Sequence, residues 1–188
     1  MSKLNILMDK KGFVGPTFTF SNRLKRLIWK ITWFTFARWS PPHLHKWRIL
    51  ILKLFGAKIS WKAYIYPNVE IWAPWNLMID DYGTLARNVI CYNIAPIELS
   101  VRAVVSQGAH LCTGTHNYED PAFPLTAKPI YIGSRAWVCA DTFVGPGVKV
   151  SSGAILSAGS VALRNLDSWS IYGGNPAILL RTRLVIRD

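Results

Sequence analysis

Five six-residue units follow one another without a gap from Ile132 to Val161: IGSRAW, VCADTF, VGPGVK, VSSGAI and LSAGSV. Each unit opens with an aliphatic residue, continues with a small residue, and carries a small or β-branched residue at its fifth position. A period of six matches neither the roughly 3.6 residues of a helical turn nor the alternation of a single strand. It is typical of a parallel β-helix, in which each unit forms a short strand and a turn, and the aliphatic side chains stack inside.

The same spacing extends back toward the N-terminus. Aliphatic openers recur in steps of 20 residues at Ile59, Ile79 and Leu99, which is three units plus two further residues. We therefore expect an all-β fold, a parallel β-helix of about five triangular coils over residues 58–167 with a bulge at one corner of the first coils. After the third coil the spacing breaks at residues 117–131, a loop with three prolines. A long loop inside a compact repeat is more often functional than incidental.

Positive charge is concentrated in the N-terminal third of the chain. The 188 residues carry a net charge of +12, yet no Asp or Glu occurs from Lys10 to Val69. Tryptophans lie among the Lys and Arg residues of this segment, including Trp29, Trp33, Trp39 and Trp47. An anionic membrane surface suits such a segment, since each basic residue near the headgroups adds about 1 kcal/mol. Nucleic acid is the alternative polyanion. The aromatic and aliphatic content favours peripheral contact of residues 10–62 with anionic lipid and no nucleic acid partner.

Two amphipathic helices are predicted ahead of the repeat. Over residues 23–39, apolar side chains follow three-four spacing while basic side chains gather on another face. The segment 40–42 (Ser-Pro-Pro) ends this helix, and a second helix covers residues 43–55 before Gly56. The pair either packs against the end of the β-helix, hiding an open strand edge, or contacts a membrane. The two roles are compatible.

The chain divides into three parts on these grounds. We expect a basic, Trp-rich segment over residues 1–57 that begins with an irregular arm, the β-helix over 58–167, and a C-terminal tail over 168–188. The N-terminus lacks the pattern of a signal peptide, and no apolar run approaches the about 20 residues that span a bilayer. Three cysteines without a CxxC pair favour reduced thiols. These features predict a cytoplasmic protein.

His116 is the residue whose setting predicts chemistry. It lies where a regular coil gives way to the loop, directly after the small residues 113–115 (Thr-Gly-Thr). Imidazole is well suited to take a proton from a hydroxyl at neutral pH, which makes His116 a candidate general base. His110 lies one unit earlier and is expected on a coil surface, and His43 and His45 are expected to be solvated or capping groups.

Other classes of site lack the residues they need. No GxSxG, P-loop, GxGxxG or HExxH motif occurs. Nothing in the sequence indicates an exposed thiol of low pKa at Cys91, Cys112 or Cys139. A zinc site like that of γ-type carbonic anhydrases needs about three ligands, and the repeat offers His110 and His116. We therefore expect no metal.

Several segments resemble the hexapeptide-repeat acyltransferases. They are the six-residue units, the run SQGAHLCTGTHNY at 106–118, the proline-containing loop, VGPG at 144–147 and GNPA at 174–177. The resemblance covers about residues 47–181 and points to the colanic-acid-type O-acetyltransferases, with maltose and nodulation-factor acetyltransferases more distant. It implies a left-handed coil, a homotrimer, and acetyl-CoA as co-substrate in the groove between adjacent prisms.

The resemblance also implies roles for individual residues. His116 is implied as general base on an acceptor hydroxyl, with backbone N–H groups of a facing coil stabilising the oxyanion. Acceptor contacts are implied for Asn93, Asn117, Tyr118 and Glu119. Acetyl-CoA contacts are implied for Trp137, Ala140, Ala158, Gly159, Arg164, Asn175, Arg181 and Arg183. Asn117 stands where close relatives often carry Asp, so Glu119, Asp120 or a backbone carbonyl is expected to orient His116.

These expectations combine into one function and two alternatives. The function is acetyl-CoA-dependent O-acetyl transfer to a sugar hydroxyl of an exopolysaccharide or lipid-linked glycan precursor. The alternatives are a non-catalytic hexapeptide-repeat scaffold or binding module, and an acyltransferase that uses another acyl donor. Acetyl-CoA binding separates the scaffold from the enzyme.

Overall fold

The computed structural model describes residues 17–184, in which two N-terminal helices precede a parallel β-helix. The predicted irregular arm lies mostly outside the described residues. The helical elements are α1 (Phe20–Thr32), a π-helical turn (Trp33–Ala37) that continues it, α2 (His45–Leu54), and a 3₁₀ turn (Pro74–Asn76). Both predicted helices are therefore present.

Successive strands wind around a triangular prism, three to a coil. The first coil is β1 (Lys58–Ile59), β2 (Tyr64–Ile65) and β3 (Glu70–Ile71); the second is β4 (Leu77–Ile79), β5 (Thr84–Leu85) and β6 (Ile90–Tyr92). The third is β7 (Ile97–Leu99), β8 (Val104–Val105) and β9 (His110–Cys112), followed by a hairpin of β10 (Gly114–His116) and β11 (Leu125–Ala127). The fourth is β12 (Ile130–Ile132), β13 (Trp137–Val138) and β14 (Phe143–Val144); the fifth is β15 (Lys149–Val150), β16 (Ile155–Leu156) and β17 (Val161–Ala162). Last come β18 (Ser170–Gly173) and β19 (Ile178–Thr182).

The strands stack into three parallel sheets, which we call faces 1, 2 and 3 after the order of strands within a coil. Face 1 has the order β1-β4-β7-β12-β15, face 3 the order β3-β6-β9-β14-β17, and face 2 runs from β2 to β18, to which β19 adds in antiparallel orientation. Ile59 pairs with Ile79, and Ile79 with Leu99, which confirms the predicted 20-residue step.

The coil count of about five is an underestimate, since the prism has about six turns. Beyond Val161 the six-residue pattern fades, but Leu166 still bridges to Val150 and β18 pairs in parallel with β16. Coiling thus continues past residue 167, into the segment that we assigned to a tail. Backbone pairing needs no aliphatic opener, so the sequence pattern ends before the fold does.

The interior contains two side chains from each unit. Every aliphatic opener from Ile132 to Leu156 is fully buried, and the fifth-position residues are at most 2% exposed. The second position must be small at Gly133, because a Cβ there would lie 2.5 Å from the backbone nitrogen of Ser152 in the next coil. The six-residue rule is therefore a packing rule, which admits only aliphatic and small side chains at the two inward positions.

Side-chain donors from the helices cap the open edge of the first coil. Its strand carbonyls have no earlier coil to accept from. The indole N–H of Trp29 donates to the carbonyl of Ile71 (2.7 Å), and that of Trp33 to the carbonyl of Val69 (2.9 Å). Arg48 donates from Nε to the carbonyl of Ile65 (2.6 Å). The helices thus satisfy an edge that would otherwise recruit another chain.

This capping turns the apolar stripe of α1 outward. The predicted stripe residues are between 45% and 57% exposed: Leu24, Leu27, Ile28, Ile31 and Phe34. The buried face carries Trp29, Trp33 and Ala37 instead. Aliphatic side chains cannot donate to edge carbonyls, whereas indole can, so the tryptophans take the inner face and the aliphatic stripe faces outward.

Candidate active site

The corner between face 3 and face 1 carries all the insertions of the β-helix. In the first coil it holds the 3₁₀ turn Pro74–Asn76, and in the second the residues 93–96 between β6 and β7. In the third coil it expands into the hairpin of β10 and β11. The predicted bulge and the predicted loop are therefore insertions at the same corner of successive coils.

The hairpin holds His116 at the end of a paired strand. Gly114 pairs with Ala127 and His116 with Leu125 in antiparallel register. Beyond the strands, the Asn117 N–H donates to the carbonyl of Pro124 (2.9 Å), which closes the base of the tip. The imidazole is half-buried and thus projects from an ordered support.

A backbone carbonyl orients the imidazole. Nδ1 of His116 lies 2.8 Å from the carbonyl oxygen of Phe123, and the two rings stack with centroids 4.5 Å apart and planes 11° apart. A carbonyl oxygen only accepts, so Nδ1 must carry the hydrogen. A neutral imidazole in this tautomer has its lone pair on Nε2, as a general base requires.

Asp120 shapes the turn that presents the Phe123 carbonyl. Its carboxylate accepts from the N–H of Ala122 (2.9 Å), and its own carbonyl accepts from the N–H of Phe123 (2.8 Å). Phe123 has a φ of +47°, in the left-handed region. Of the three groups expected to orient His116, a backbone carbonyl is thus in contact with the imidazole. Sequence reasoning missed Phe123, since no motif marks which carbonyl a loop will present.

Three of the predicted acceptor residues lie on the hairpin tip next to His116. Asn117, Tyr118 and Glu119 are exposed, and the Asn117 side chain accepts from the N–H of Glu119 (3.3 Å). Their side chains can therefore reach a molecule that approaches the imidazole.

Asn93 lies elsewhere. It is fully buried, its Oδ1 accepts from the N–H of Ala73 (2.9 Å), and its Nδ2 donates to the Ala73 carbonyl (2.6 Å). These two bonds join the first and second coils at the corner that carries the insertions. The predicted contact of Asn93 with an acceptor is replaced by this structural role.

Four of the predicted acetyl-CoA residues form one column at the corner between faces 2 and 3. The Gly159 N–H donates to the carbonyl of Ala140 (2.9 Å), and the Val161 N–H to that of Gly174 (2.9 Å), which places Asn175 in the next coil. A Cβ on Gly159 would meet no heavy atom within 4 Å, so the surface there is open. Ala158 is also exposed. The column is a track of small residues.

The other predicted acetyl-CoA residues are dispersed. Trp137 lies on face 2, where its indole N–H donates to Oγ of Ser106 (2.8 Å). Arg164 is exposed at the corner between faces 3 and 1, two residues after β17, and Arg181 is exposed on β19. Arg183 donates from Nη1 to the carbonyl of Gly153 (3.0 Å) at the corner between faces 1 and 2.

Arg183 therefore has a structural role that the sequence did not indicate. Its guanidinium also lies 5.5 Å from the ring centre of Trp169, at the same corner. These contacts attach the chain just beyond β19 to the prism. The contact of Arg183 with acetyl-CoA stays a prediction, because the guanidinium has further N–H donors beyond Nη1.

The described residues give little support to nucleophilic catalysis by a cysteine or to metal binding. Burial raises the pKa of Cys91 to about 12, and burial also raises the pKa of Cys112 and of Cys139. All three thiols are thus protonated, and weakly nucleophilic, at neutral pH. Across residues 17–184, no group of three His, Cys, Asp or Glu side chains is arranged to hold a metal ion.

Solved acetyltransferases share the triangular parallel β-helix of this chain. The maltose O-acetyltransferase of Clostridium difficile 630 superposes with a TM-score of 0.79 at 17% identity, over 89% of this chain and 90% of that one. A hexapeptide-repeat acetyltransferase of Vibrio cholerae, solved with acetyl coenzyme A, superposes with a TM-score of 0.75 at 19% identity, over 88% of each chain. These likenesses show the left-handed β-helix fold.

Sequence similarity then identifies the family. The chain is 36% identical over 179 residues to the Escherichia coli K12 protein described as a colanic acid biosynthesis acetyltransferase, WcaF, covering 95% of this chain and 98% of that protein. No protein-family model matches the chain. The chain belongs to the family of WcaF, the colanic-acid-type acetyltransferases, and is an acyltransferase.

Proposed function

We propose that the protein transfers an acetyl group from acetyl-CoA to a sugar hydroxyl of an exopolysaccharide or lipid-linked glycan precursor. The observation that carries this proposal is the His116 imidazole, which Phe123 holds in the tautomer of a general base. The description of WcaF as a colanic acid biosynthesis acetyltransferase supports a polysaccharide acceptor. The acetyl coenzyme A bound to the Vibrio cholerae structure supports the donor.

The mechanism that we propose is direct transfer of the acetyl group from donor to acceptor, with His116 as the base. Nε2 of His116 takes the proton of the acceptor hydroxyl as its oxygen attacks the thioester carbonyl. The C–S bond then breaks, the imidazolium returns the proton to the leaving CoA thiolate, and the products are the acetyl ester and CoA. The imidazolium that forms transiently is stabilised by its Nδ1–H bond to the Phe123 carbonyl.

Calorimetry with acetyl-CoA, followed by a transfer assay with sugar acceptors, tests the proposal. We expect saturable binding and release of one CoA for each ester formed. A binding module would give no CoA release with any acceptor. Faster turnover with butyryl-CoA than with acetyl-CoA would identify a different acyl donor.

A homotrimer would bring the dispersed residues together. His116 and Arg164 belong to the corner between faces 3 and 1, and Ala140, Ala158 and Gly159 to the corner between faces 2 and 3. Six residues at about 3.3 Å each separate two corners of one protomer by up to roughly 20 Å. We therefore propose that the histidine corner of one copy faces the small-residue corner of the next, around a threefold axis.

Complementation between two inactive variants measures this arrangement. Ala158→Trp blocks the small-residue corner, and His116→Ala removes the base. When the two are coexpressed in equal amounts and assemble at random, about a quarter of all sites in the whole population of trimers combine one intact corner of each kind. We expect about that fraction of wild-type turnover, and none when the separately purified variants are assayed alone.

Two results would oppose the shared site. The first is a mixture that stays inactive although light scattering shows mixed trimers. Each site would then be formed by both corners of a single protomer. A particle of one chain mass, 21.2 kDa, would remove the trimer itself.

The outer surface of the N-terminal helices supports a proposed contact with anionic membranes. We define this surface as the exposed apolar side chains of residues 20–54. It combines the outward stripe of α1 with Phe36 and Trp39, which are 58% and 71% exposed. No acidic residue interrupts the described segment 17–69. None of the described helices is long and apolar enough to cross a bilayer, so the contact would be peripheral.

Vesicle sedimentation tests the membrane contact. We expect the protein to sediment with phosphatidylglycerol vesicles at low salt and to be released as salt rises, since screening weakens the basic residues. The double variant Phe36→Ala, Trp39→Ala should bind roughly tenfold more weakly, because two large apolar groups leave the interface. Leu179→Ala is the matched control, being 55% exposed on β19 at the other end of the β-helix. Equal losses in both variants would contradict this surface.

A further inference from the structure

A groove of about 910 Å³ lies between α1, with its π-helical continuation, and the first two coils of face 3. It is separate from the small-residue corner to which we assign acetyl-CoA. Trp72, just after β3, and Tyr92, in β6, line the β-helix wall. The residues of α1 that line the other wall include part of its outward stripe.

The helix wall combines two kinds of side chain. Leu27, Ile31 and Phe34 line it as an apolar stripe, and each is more than half exposed. The basic residues Arg26, Lys30 and Arg38 line it as well, against one acid, Glu70, on the opposite wall. A groove with this composition suits a ligand that carries both an anionic group and an apolar chain.

Arg26 is positioned to bind an oxyanion. Its guanidinium carbon lies 4.2 Å from the ring centre of Trp72, and its Nε donates to Oδ1 of Asn22 (3.0 Å). Stacking on an indole and one fixed hydrogen bond define the plane of the guanidinium. Its remaining N–H donors then form a fork that matches phosphate geometry.

The aromatic end of the groove leads to the catalytic hairpin. The Trp72 and Tyr92 rings meet edge to face with centroids 5.9 Å apart. A Cβ on Gly114 would lie 2.9 Å from Cε1 of Tyr92, so Tyr92 contacts the start of β10. His116 follows two residues later on this strand, roughly 7 Å further along.

We infer that this groove binds the carrier of the acceptor, an isoprenoid chain joined through phosphate to the sugar. The sugar would lie at Trp72 and Tyr92 next to His116, the phosphate at Arg26, and the chain along the apolar stripe of α1. A free polysaccharide would contact the aromatic end of the groove and not its apolar stripe, and a simple lipid would contact the stripe and not the aromatic end. The inference rests on the proposed function and specifies its acceptor class.

Binding of farnesyl phosphate, a 15-carbon isoprenoid phosphate, to the full chain tests the groove. Calorimetry below the micelle concentration should show saturable binding, and neither inorganic phosphate nor farnesol should bind as tightly. Loss of a charge-assisted hydrogen bond in Arg26→Gln should weaken binding about tenfold or more. Arg23→Gln is the matched control, because Arg23 lies on the same helix outside the groove lining. It should change binding less than about twofold.

A second pair of variants tests the apolar part. Ile31 lines the groove and Ile28 does not, although they are 57% and 50% exposed on the same helix. Ile31→Asn should weaken farnesyl phosphate binding, and Ile28→Asn should not. Equal effects within each pair, or absence of binding to the wild-type protein, would overturn the inference.

Acetyl-CoA titration of the same samples separates this inference from the proposed function. Farnesyl phosphate binding that depends on Arg26 and Ile31 supports the groove whatever the acetyl-CoA result. Normal acetyl-CoA binding without farnesyl phosphate binding overturns the groove alone. Failure of acetyl-CoA to bind removes the proposed donor and leaves the farnesyl phosphate result to decide the groove.

Discussion

His116→Ala is expected to lower turnover by about 10² to 10⁴, the usual contribution of a positioned general base. The acceptor hydroxyl would then have to lose its proton to water. The side chain is half-buried on a surface hairpin, so we expect little change in the midpoint of thermal unfolding. Steady-state assays with saturating acetyl-CoA and a melting curve on the same preparation measure the two effects.

Two further variants sharpen this test. His43→Ala removes an exposed histidine between the helices and should leave turnover unchanged. Phe123→Ala keeps the carbonyl that accepts from Nδ1 but removes the ring stacked on the imidazole. Such contacts contribute about 0.5–1.5 kcal/mol, so we expect a loss of roughly two- to tenfold in turnover. Substantial turnover in His116→Ala would exclude His116 as the base.

The repeat was predictable from the sequence because its causes are local. Ile59, Ile79 and Leu99 pair as expected, since each coil imposes the same packing rule on its own six residues. The end of the repeat was harder to predict. Leu166 and β18 continue the coil by backbone pairing, which carries no sequence signature.

The orientation of the helices could not be predicted for a different reason. The partners of the Trp29 and Trp33 indoles are carbonyls 42 and 36 residues away. Periodicity identified the aliphatic stripe of α1, but this stripe faces outward and the face that carries the tryptophans is buried. The carbonyls at the edge of the first coil need hydrogen-bond donors, and this need determines which face of α1 packs inward. The edge exists only once the coils have formed.

The position of His116 on a loop that interrupts the repeat was predictable from the sequence, and the contacts of the other candidate residues were less so. The break in the repeat identified His116 and the hairpin tip. Asn93 and Arg183 were placed by resemblance, and each proves to bond to backbone of its own chain. Polar side chains near a corner have that alternative wherever a turn leaves a carbonyl or an N–H without a partner.

Arg48→Met is expected to destabilise the protein by about 3 kcal/mol or more, since it leaves several carbonyls without a donor at once. Arg48 is fully buried in α2. Besides the strand-edge carbonyl of Ile65, it donates to the carbonyls of Pro41 and Pro42 and to Oγ of Ser40. One guanidinium therefore joins the first coil, α2 and the turn between the helices. For a chain of this length, the expected drop in the unfolding midpoint is about 6–12 °C.

Lys46→Met is the matched control, because it removes an exposed cation from the same helix and should shift the midpoint by less than about 2 °C. Methionine retains most of the volume of the arginine stem, so the difference between the variants reports the lost hydrogen bonds rather than a cavity. Hydrogen exchange should locate the effect, with faster exchange at the first coil and unchanged exchange at the fifth. Uniformly faster exchange would mean that Arg48 stabilises the whole prism rather than its capped edge.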